Sequence, residues 1–548
     1  MLNQIFNSQT KTVTFAAILL SISALVSGIL GLVRDGLLAG TFGVWAETNV
    51  YFAAFRIPDL VYNLLIFGGL AIAFLPIFSE YYQKDKEKAW EMTNHALNVF
   101  LFFLILLCLI LFIFTPQIIN LITPGFSPAE KEKTVILTRL MFLSPIFFGL
   151  SSIFASILQY FNRFLVYSIS PILYNLGIIF GILFLTPRFG IFGVGMGVIL
   201  GAFLHLLILI PPAINCGYHY KFLFNLKYPA IQKIFSLMVP RIFAVAAQQI
   251  NLIVITVIAS TILGAIAIFN FANNLQGFPI GIIGVSFAIA AFPTLSRTWA
   301  NGQRKEFFEN FSSTFREIIF LIIPISLLIF ILRAQIVRLV LGTLGQGQFD
   351  WIATRLTAAS LGIFSISILA SALIPFLYRA FFSFQDTKTP TLITVFSIVL
   401  NIVLAFSFVY LLRFENYFSL FFIDLLKLKT ISEISVVGLP LAFSLAAISQ
   451  FILLLIFLYK RIGDFGIKEI LFSFKKIALA SIFLVIFTYI FLYLLANFVD
   501  THRVLGLLIQ TIFAGSAGGI SYILTTFFLK SPELRTIKFS ILKQFTKN

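Results

Sequence analysis

Two small groups of oppositely charged residues lie within long apolar stretches near the N-terminus. Arg34 and Asp35 occur late in the first stretch, and Arg56 and Asp59 occur early in the second. An ionisable side chain within a membrane is costly unless it faces a cavity or a partner. One interpretation is a cationic patch for an anionic, phosphate-bearing head group, because guanidinium geometry suits phosphate. The other is a pair of local ion pairs, in which Asp35 and Asp59 neutralise the neighbouring arginines.

Residues arranged for catalysis or metal binding are scarce elsewhere. The four histidines, His95, His205, His219 and His502, have no ligand spacing, so we expect neither a metal site nor catalytic residues. Cys108 and Cys216 provide no disulfide framework. The sequence also lacks a glycine-rich loop that ends in Lys-Ser or Lys-Thr. We therefore predict that the protein is not an enzyme and has no cofactor. Any energy for transport would come from a cation gradient, the membrane potential or downstream consumption of the substrate.

A run of glycines at 193, 195, 197 and 201 allows two interpretations. It could form a dinucleotide-binding loop, but it lies in an apolar segment without a preceding strand. Small residues four positions apart are also typical of closely packed membrane helices. We favour helix packing.

The composition requires that most of the chain contact lipid. Of 548 residues, 60% are hydrophobic and only 11% are charged, whereas soluble proteins carry roughly 25% charged residues. The net charge of +17 would suggest nucleic-acid binding in a soluble protein. In a membrane protein it is better explained by basic cytoplasmic loops that face lipid head groups, so we expect membrane lipids and no nucleic acid as partners.

The apolar segments are long enough to cross a bilayer. Fourteen of them lie at about 13–42, 48–79, 90–115, 134–159, 166–186, 190–214, 230–261, 265–295, 315–340, 352–382, 388–412, 434–459, 477–498 and 504–529. With fourteen spans, the termini and the loops on their side carry 24 Lys and Arg residues, against 11 in the opposite loops. The excess predicts that both termini are cytoplasmic.

An internal repeat divides the chain. The motif AIAFLP at 71–76 recurs as AIAAFP at 288–293, an offset of 217 residues, and a looser echo joins the stretches before Pro171 and Pro390. We predict an all-α polytopic membrane protein of about 14 transmembrane helices. It has one six-helix half over 1–228, a parallel six-helix half over 229–462, and two further helices with a basic tail over 463–548. Parallel repeats are typical of alternating-access transporters whose substrate lies between the halves.

The motifs around both charged groups resemble one family. They are SGILGLVRD at 27–35 with TFG at 41–43, FAAFRIPDL at 52–60, AFLPIFSEY at 73–81, Phe278-Pro279, Gly284-Val285, PTLS at 293–296, RAFFS at 379–383 and DTKTP at 386–390. This set resembles the MurJ/MviN family, the lipid II flippases of peptidoglycan synthesis. The resemblance implies a bacterial plasma-membrane flippase for lipid II, with cell-wall synthesis proteins as further partners. It also implies that Arg34 first, and Arg56 second, contact the pyrophosphate, and that the last two spans form a groove for the lipid tail.

The chain departs from the family at several charged positions. Family arginines align with Gly28, Tyr62 and Asn274, and family acidic residues align with Asn49, Phe67 and Gly277. Neutral hydrogen-bonding side chains could replace the missing arginines at the head group. The candidates are Tyr62, Asn63, Asn273, Asn274 and Gln276. With Asn270, the last three indicate either a wetted wall on the eighth span or hydrogen bonds between helices.

Three other functions fit the same residues. The protein could flip a different polyprenyl-linked oligosaccharide, or it could be a cation-coupled exporter of the same superfamily. An exporter needs a carboxylate deep within a span, whereas Asp35 and Asp59 are predicted near an interface. The missing cavity charges would also suit a membrane scaffold that does not transport.

Overall fold

Long helices form the regular structure of the part of the chain that the computed structural model describes, residues 13–64, 70–431, 433–501 and 503–534. No strand occurs within these ranges. The predicted all-α class is therefore confirmed. Phe67 and His502 lie outside the described residues.

The helices group into two compact units. Unit 1 comprises Met1–Ala267 with Leu344–Gln348, and unit 2 comprises Ile268–Thr343 with Phe349–Asn548. The predicted repeat halves instead meet at 228/229. That prediction concerns duplicated sequence rather than packing, and it stays a prediction.

Unit 1 contains eleven helices in its described part. They are α1 (Val13–Phe42), α2 (Ala46–Val61), α3 (Ala71–Lys84), α4 (Lys86–Ile122), α5 (Pro128–Met141), α6 (Leu143–Tyr160), α7 (Phe164–Phe180), α8 (Thr186–Phe189), α9 (Ile191–Leu207), α10 (Ile210–Ile214) and α11 (Pro229–Ser260). A π-helical turn, Gly181–Leu185, joins α7 to α8.

Unit 2 begins within the next helix. Its helices are α12 (Ala265–Pro279), α13 (Ser286–Ala300), α14 (Arg304–Leu341), α15 (Trp351–Ser383), α16 (Lys388–Arg413), α17 (Tyr417–Leu426), α18 (Gly438–Ile462), α19 (Ile467–Ala496) and α20 (Val504–Phe528). A π-helical turn, Ile280–Val285, separates α12 from α13. Both copies of the repeated motif lie in helices that contain proline, α3 and α13.

Twelve helices in the described residues are long and apolar enough to cross a membrane. Each matches one of the fourteen predicted segments. Of the remaining two segments, 48–79 is divided between α2 and α3, and 230–261 corresponds to α11, within which two shorter apolar stretches, Pro229–Val239 and Val245–Ser260, qualify. The predicted count of fourteen is not confirmed.

The described helices bury many polar side chains and expose many large apolar ones. On α4, Thr93, Asn94 and Asn98 are buried, whereas Ile113 and Phe114 are more than half exposed. A water-soluble protein would show the reverse arrangement. The exposed apolar faces are those that lipid covers.

Glycines allow α7 and α9 to pack closely. A Cβ atom on Gly177 would lie 2.3 Å from Cα of Gly201, and one on Gly197 would lie 2.8 Å from Cα of Gly181. Two backbones can approach this closely only without intervening side chains. The packing interpretation of the glycine run is confirmed. The contact also fixes α7, which carries part of the candidate site.

Candidate functional site

Arg34 and Asp35 form an ion pair on α1. Nε and Nη2 of Arg34 donate to the same carboxylate oxygen, Oδ1, at 3.0 and 2.8 Å. The Asp35 side chain is 4% exposed, whereas that of Arg34 is 22% exposed. The carboxylate is therefore enclosed, and the guanidinium keeps some access to its surroundings.

Asn175 on α7 holds the other side of the same guanidinium. Nη1 of Arg34 donates to Oδ1 of Asn175 at 3.2 Å. The Asn175 amide in turn donates to Oγ and the carbonyl of Ser27, at 3.1 and 3.2 Å, and to the carbonyl of Pro171. Asn175 thus connects α7 to α1 and fixes the direction of Arg34. Sequence analysis missed this residue, although a lone Asn within the apolar segment 166–186 was a usable signal.

Arg56 on α2 is held by a hydroxyl group. Its Nε donates to Oγ1 of Thr256 on α11 at 2.8 Å, and that hydroxyl donates to the carbonyl of Leu252. Thr256 is almost fully buried. The interaction connects α2 to α11 and orients the guanidinium, and sequence analysis gave no indication of it.

Asp59 and Asn63 interact within one turn. Nδ2 of Asn63 donates to Oδ1 of Asp59 at 3.0 Å and to its backbone carbonyl at 2.9 Å. Both amide hydrogens of Asn63 are thereby used. This side chain can offer a substrate only its carbonyl oxygen, which does not suit an anion.

Tyr174 on α7 belongs to an aromatic cluster. The Tyr62 ring packs against Phe148 at 5.0 Å between centroids, and Phe148 packs against Tyr174 at 5.1 Å. Tyr62, a predicted site residue, thus lies at one end of an aromatic wall that continues through Phe148 to Tyr174.

His205 continues the aromatic wall on α9. Its ring lies 5.2 Å from that of Phe148, and Nδ1 lies 2.5 Å from Oγ of Ser151, which is fully buried. In the described residues, no group of three or more His, Cys, Asp or Glu side chains could hold a metal ion. The wall therefore positions polar groups by packing and hydrogen bonds.

The polar side chains of α12 belong to unit 2 and form their own group. Nε2 of Gln276 donates to Oδ1 of Asn273 at 3.0 Å, within one turn of the helix. Gln276 and Asn270 are buried, whereas Asn273 and Asn274 are half-buried. Oε1 of Gln276 has no hydrogen-bond partner in the described part of the chain. Asn273 and Asn274 are thus the members of this group with access to a polar ligand.

Asn49 and Gly277, which are predicted to align with acidic residues of the family, lie in the described part of the chain. Asn49 is buried, donates to the carbonyl of Val44 and accepts from the backbone N–H of Ala267 at 2.9 Å. A carboxylate here could accept the second bond but could not donate the first. Gly277 is exposed, and a Cβ there would meet open space. The hydrogen bond between Asn49 and Ala267 therefore connects α2 to the start of α12.

Comparison with known proteins gives a consistent family. The family model for the lipid II flippase MurJ matches residues 38–513. A probable lipid II flippase MurJ from Buchnera aphidicola (subsp. Acyrthosiphon pisum, strain APS) is 28% identical over 510 residues, which cover 92% of this chain and 94% of the relative. The lipid II flippase MurJ of Burkholderia cenocepacia is 26% identical over 385 residues, covering 68% and 73%.

Solved structures agree in fold. A lipid II flippase MurJ in an inward closed conformation has a TM-score of 0.74 at 25% identity and covers 94% of this chain and 99% of its own. An inward-facing multidrug transporter of the MATE family has a TM-score of 0.62 at 12% identity, which supports the fold alone. Because the family model spans most of the chain, the protein belongs to the lipid II flippase MurJ family and is a multi-pass transporter of the bacterial inner membrane, not an enzyme.

Proposed function

We propose that the protein moves lipid II from the inner to the outer leaflet by alternating access, and that Arg34 contacts the pyrophosphate of the head group. The observation that carries the assignment is the way Arg34 is held. A guanidinium has five N–H donors, and three of them bond to Asp35 and Asn175. The other two have no partner among the described residues, so they are available to phosphate oxygens.

Arg56 is the second contact in this proposal. Its Nε donates to Oγ1 of Thr256 at 2.8 Å, which fixes the direction of the guanidinium. Asp35 balances the charge of Arg34 in an ion pair, so this pair is close to neutral. A pyrophosphate is then attracted by directed hydrogen bonds rather than by a large net charge. Tyr62 supplies a neutral hydroxyl on the same wall, and Asn273 and Asn274 are the proposed neutral contacts on α12.

Reconstituted translocation of lipid II tests the assignment. We expect Arg34→Ala to lower the rate by tenfold or more, because a hydrogen bond to a charged group contributes about 1.5–3 kcal/mol. Arg34→Lys should restore part of the rate, since lysine keeps the positive charge but cannot form the paired hydrogen bonds of a guanidinium. Arg413→Ala, at the exposed end of α16, is the matched control and should transport normally. Equal rates for Arg34→Ala and the parent would reject the role of Arg34.

The same vesicles test substrate choice and energy source. We propose that a membrane potential or a cation gradient drives transport. An ionophore that collapses the gradient should then slow lipid II translocation, and an unchanged rate would reject the coupling. A different polyprenyl-pyrophosphate oligosaccharide should compete weakly, because the sugar-peptide part would not be matched. Competition as strong as that of unlabelled lipid II would favour a broader substrate class.

We also propose that both termini face the cytoplasm and that cell-wall synthesis proteins act beside the transporter. The excess of Lys and Arg on the side of the termini supports the orientation. Alkaline phosphatase, which is active only outside the cytoplasm, should be inactive when fused to the C-terminus. An active fusion would reverse the orientation.

A further inference from the structure

Unit 2 contains a cavity of about 410 Å³ with three cationic side chains and no acidic ones in its lining. Arg333 comes from α14, Arg355 from the start of α15, and Lys427 follows α17. In the described part of the chain, none of the three forms an ion pair. The carboxylate of Asp424, three residues before Lys427, forms an ion pair with Lys429 at 2.9 Å. The lining therefore carries three positive charges and no negative one.

The two arginines are held in place by neutral groups. Nη1 of Arg333 donates to the carbonyl of Phe330 at 2.7 Å, and its guanidinium lies 5.0 Å from that ring. The Arg355 guanidinium lies 4.4 Å from the ring of Trp351, and its Nη1 reaches Oγ1 of Thr430 at 3.4 Å. These contacts orient the charges without neutralising them. Most of the N–H donors of both groups stay available to an anion.

The cavity lies at the end of unit 2 where α20 begins. Its lining includes Gln510, near the start of α20, whereas the tail follows the end of that helix. If the C-terminus is cytoplasmic, as proposed above, the cavity faces the outer leaflet. Tyr489 and Tyr493 also line it, and Trp351 packs on Arg355. Such aromatic residues are typical of the depth at which lipid head groups lie.

An apolar cavity of about 510 Å³ follows the same three helices toward the membrane centre. It is lined by Leu327 and Phe330 before Arg333 on α14, by Ile366 after Arg355 on the antiparallel α15, and by Phe474 before Tyr489 on α19. On each of the three helices, the residues that line the apolar cavity lie farther from the helix end that carries the cationic cavity. A cationic site thus sits above an apolar one, which is the arrangement of a phosphate head group above an acyl chain.

We propose that this pair of cavities binds a lipid whose head group carries a phosphate, with the phosphate between Arg333, Arg355 and Lys427. The site is separate from that of Arg34, and the proposal does not depend on lipid II transport. Only its placement in the outer leaflet rests on the proposed orientation. The amide of Gln335, whose Oε1 is buried without a hydrogen-bond partner in the described residues, can rotate to donate to the same phosphate.

Calorimetric titration of the full chain in an uncharged detergent tests the proposal. The probe is dioctanoyl phosphatidic acid, which should bind the parent at one site. Arg333→Gln with Arg355→Gln should raise its dissociation constant by at least tenfold. Arg413→Gln, which removes an exposed charge outside the cavity, is the matched control and should bind as the parent does. Unchanged affinity in the double variant would overturn the proposal.

Two further ligands separate the sources of the phosphate. Dioctanoylglycerol has the same chains without phosphate, and binding as tight as that of phosphatidic acid would overturn the role of the cations. Inorganic phosphate should bind much more weakly than the lipid, because it gains nothing from the apolar cavity. Equal affinity for inorganic phosphate would reject the lipid and leave a site for free phosphate.

A third variant guards against misfolding of the double variant. Lys427 has a positive φ of 56°, and its side chain is outside the helix core. Asn tolerates this conformation, so Lys427→Asn should fold normally and remove one of the three charges. It should weaken binding of phosphatidic acid by roughly threefold or more, since hydrogen bonds to charged groups are among the stronger ones. An unaltered dissociation constant would exclude Lys427 from the site.

Discussion

Nη1 of Arg34 donates a hydrogen bond of 3.2 Å to Oδ1 of Asn175, across 141 positions of the sequence. Asn175 is itself fixed by its bonds to Ser27 and Pro171. The side chain that orients the guanidinium of Arg34 therefore belongs to a different helix, α7. Asn175 is a positioning residue whose loss should affect transport through Arg34.

We expect Asn175→Leu to reduce lipid II translocation by roughly tenfold, because it removes the acceptor of Arg34 and leaves that N–H without a fixed direction. The rate is measured in reconstituted vesicles. Asn310→Leu is the control, since the Asn310 amide bonds only to its own helix, at the Glu306 carbonyl. Asn175→Gln should recover more rate than Asn175→Leu. Identical rates for the two variants would argue against positioning by the amide.

Thr256→Val should weaken transport by a smaller factor, about fivefold or less, because it removes one neutral hydroxyl acceptor from Arg56. The two side chains have nearly the same shape, so the packing of α11 should change little. Thr298→Val is the matched control: Thr298 is also buried, but its hydroxyl bonds only to carbonyls of its own helix. A loss of transport in both variants would point to a general effect of burying valine.

The sequence predicted the helices and the charged groups better than the contacts between them. Arg34 and Asp35 are neighbours in sequence, so their pairing needed only one helix. The contacts of Arg34 with Asn175 and of Arg56 with Thr256 depend on which faces of distant helices meet. Side-chain packing decides that: a lone Asn in the apolar segment 166–186 indicates a polar contact, but it does not show which distant helix provides the partner. Asn63, predicted as a head-group contact, bonds instead to Asp59 on its own turn, a local contact that the four-residue spacing of the two side chains allows.

Glu80 should make stability depend on pH in acid. Its carboxylate accepts from Lys84 and from Lys233 on α11, at 3.0 and 2.8 Å, and these bonds lower the pKa of Glu80 from 4.5 to about 2. A carboxyl group with a lowered pKa stabilises the fold above its unfolded-state pKa, and the contribution is lost as pH falls from about 4.5 toward 2. Melting temperatures of the parent and Glu80→Gln should therefore differ at pH 6 and converge toward pH 3. The exposed Glu132→Gln should track the parent throughout; a constant difference for Glu80→Gln would contradict the titration.

The close contact of α7 with α9 should not tolerate a side chain. Gly177→Val would place Cβ 2.3 Å from Cα of Gly201, so the helices would have to separate. We expect a loss of about 2 kcal/mol or more, at the level of overpacked cores. Gly519→Ala, on α20, is the control because its Cβ would meet open space. Equal melting temperatures for Gly177→Val and the parent would show that α7 can shift freely.

Glu533 should anchor the end of the chain after α20. The carboxylate is 2% exposed and accepts from Arg316 at 3.1 Å, from Ser473 at 2.8 Å and from Ser531 at 2.5 Å. Glu533→Ala leaves Arg316 without its carboxylate, and breaking a buried pair costs about 3–5 kcal/mol. Arg316 is partly exposed, so we expect a smaller loss of about 2–3 kcal/mol. Thermal unfolding measures it, with the exposed Glu309→Ala as the control.

A double variant distinguishes a lost interaction from an unpaired charge. Replacing both partners with apolar residues, Arg316→Met with Glu533→Leu, removes the bonds and the buried charges together. Such replacements are often neutral or stabilising. We therefore expect the double variant to melt at a higher temperature than Glu533→Ala. If it melts at a lower one, the network stabilises unit 2 by its bonds, and the unpaired Arg316 is not the main cost.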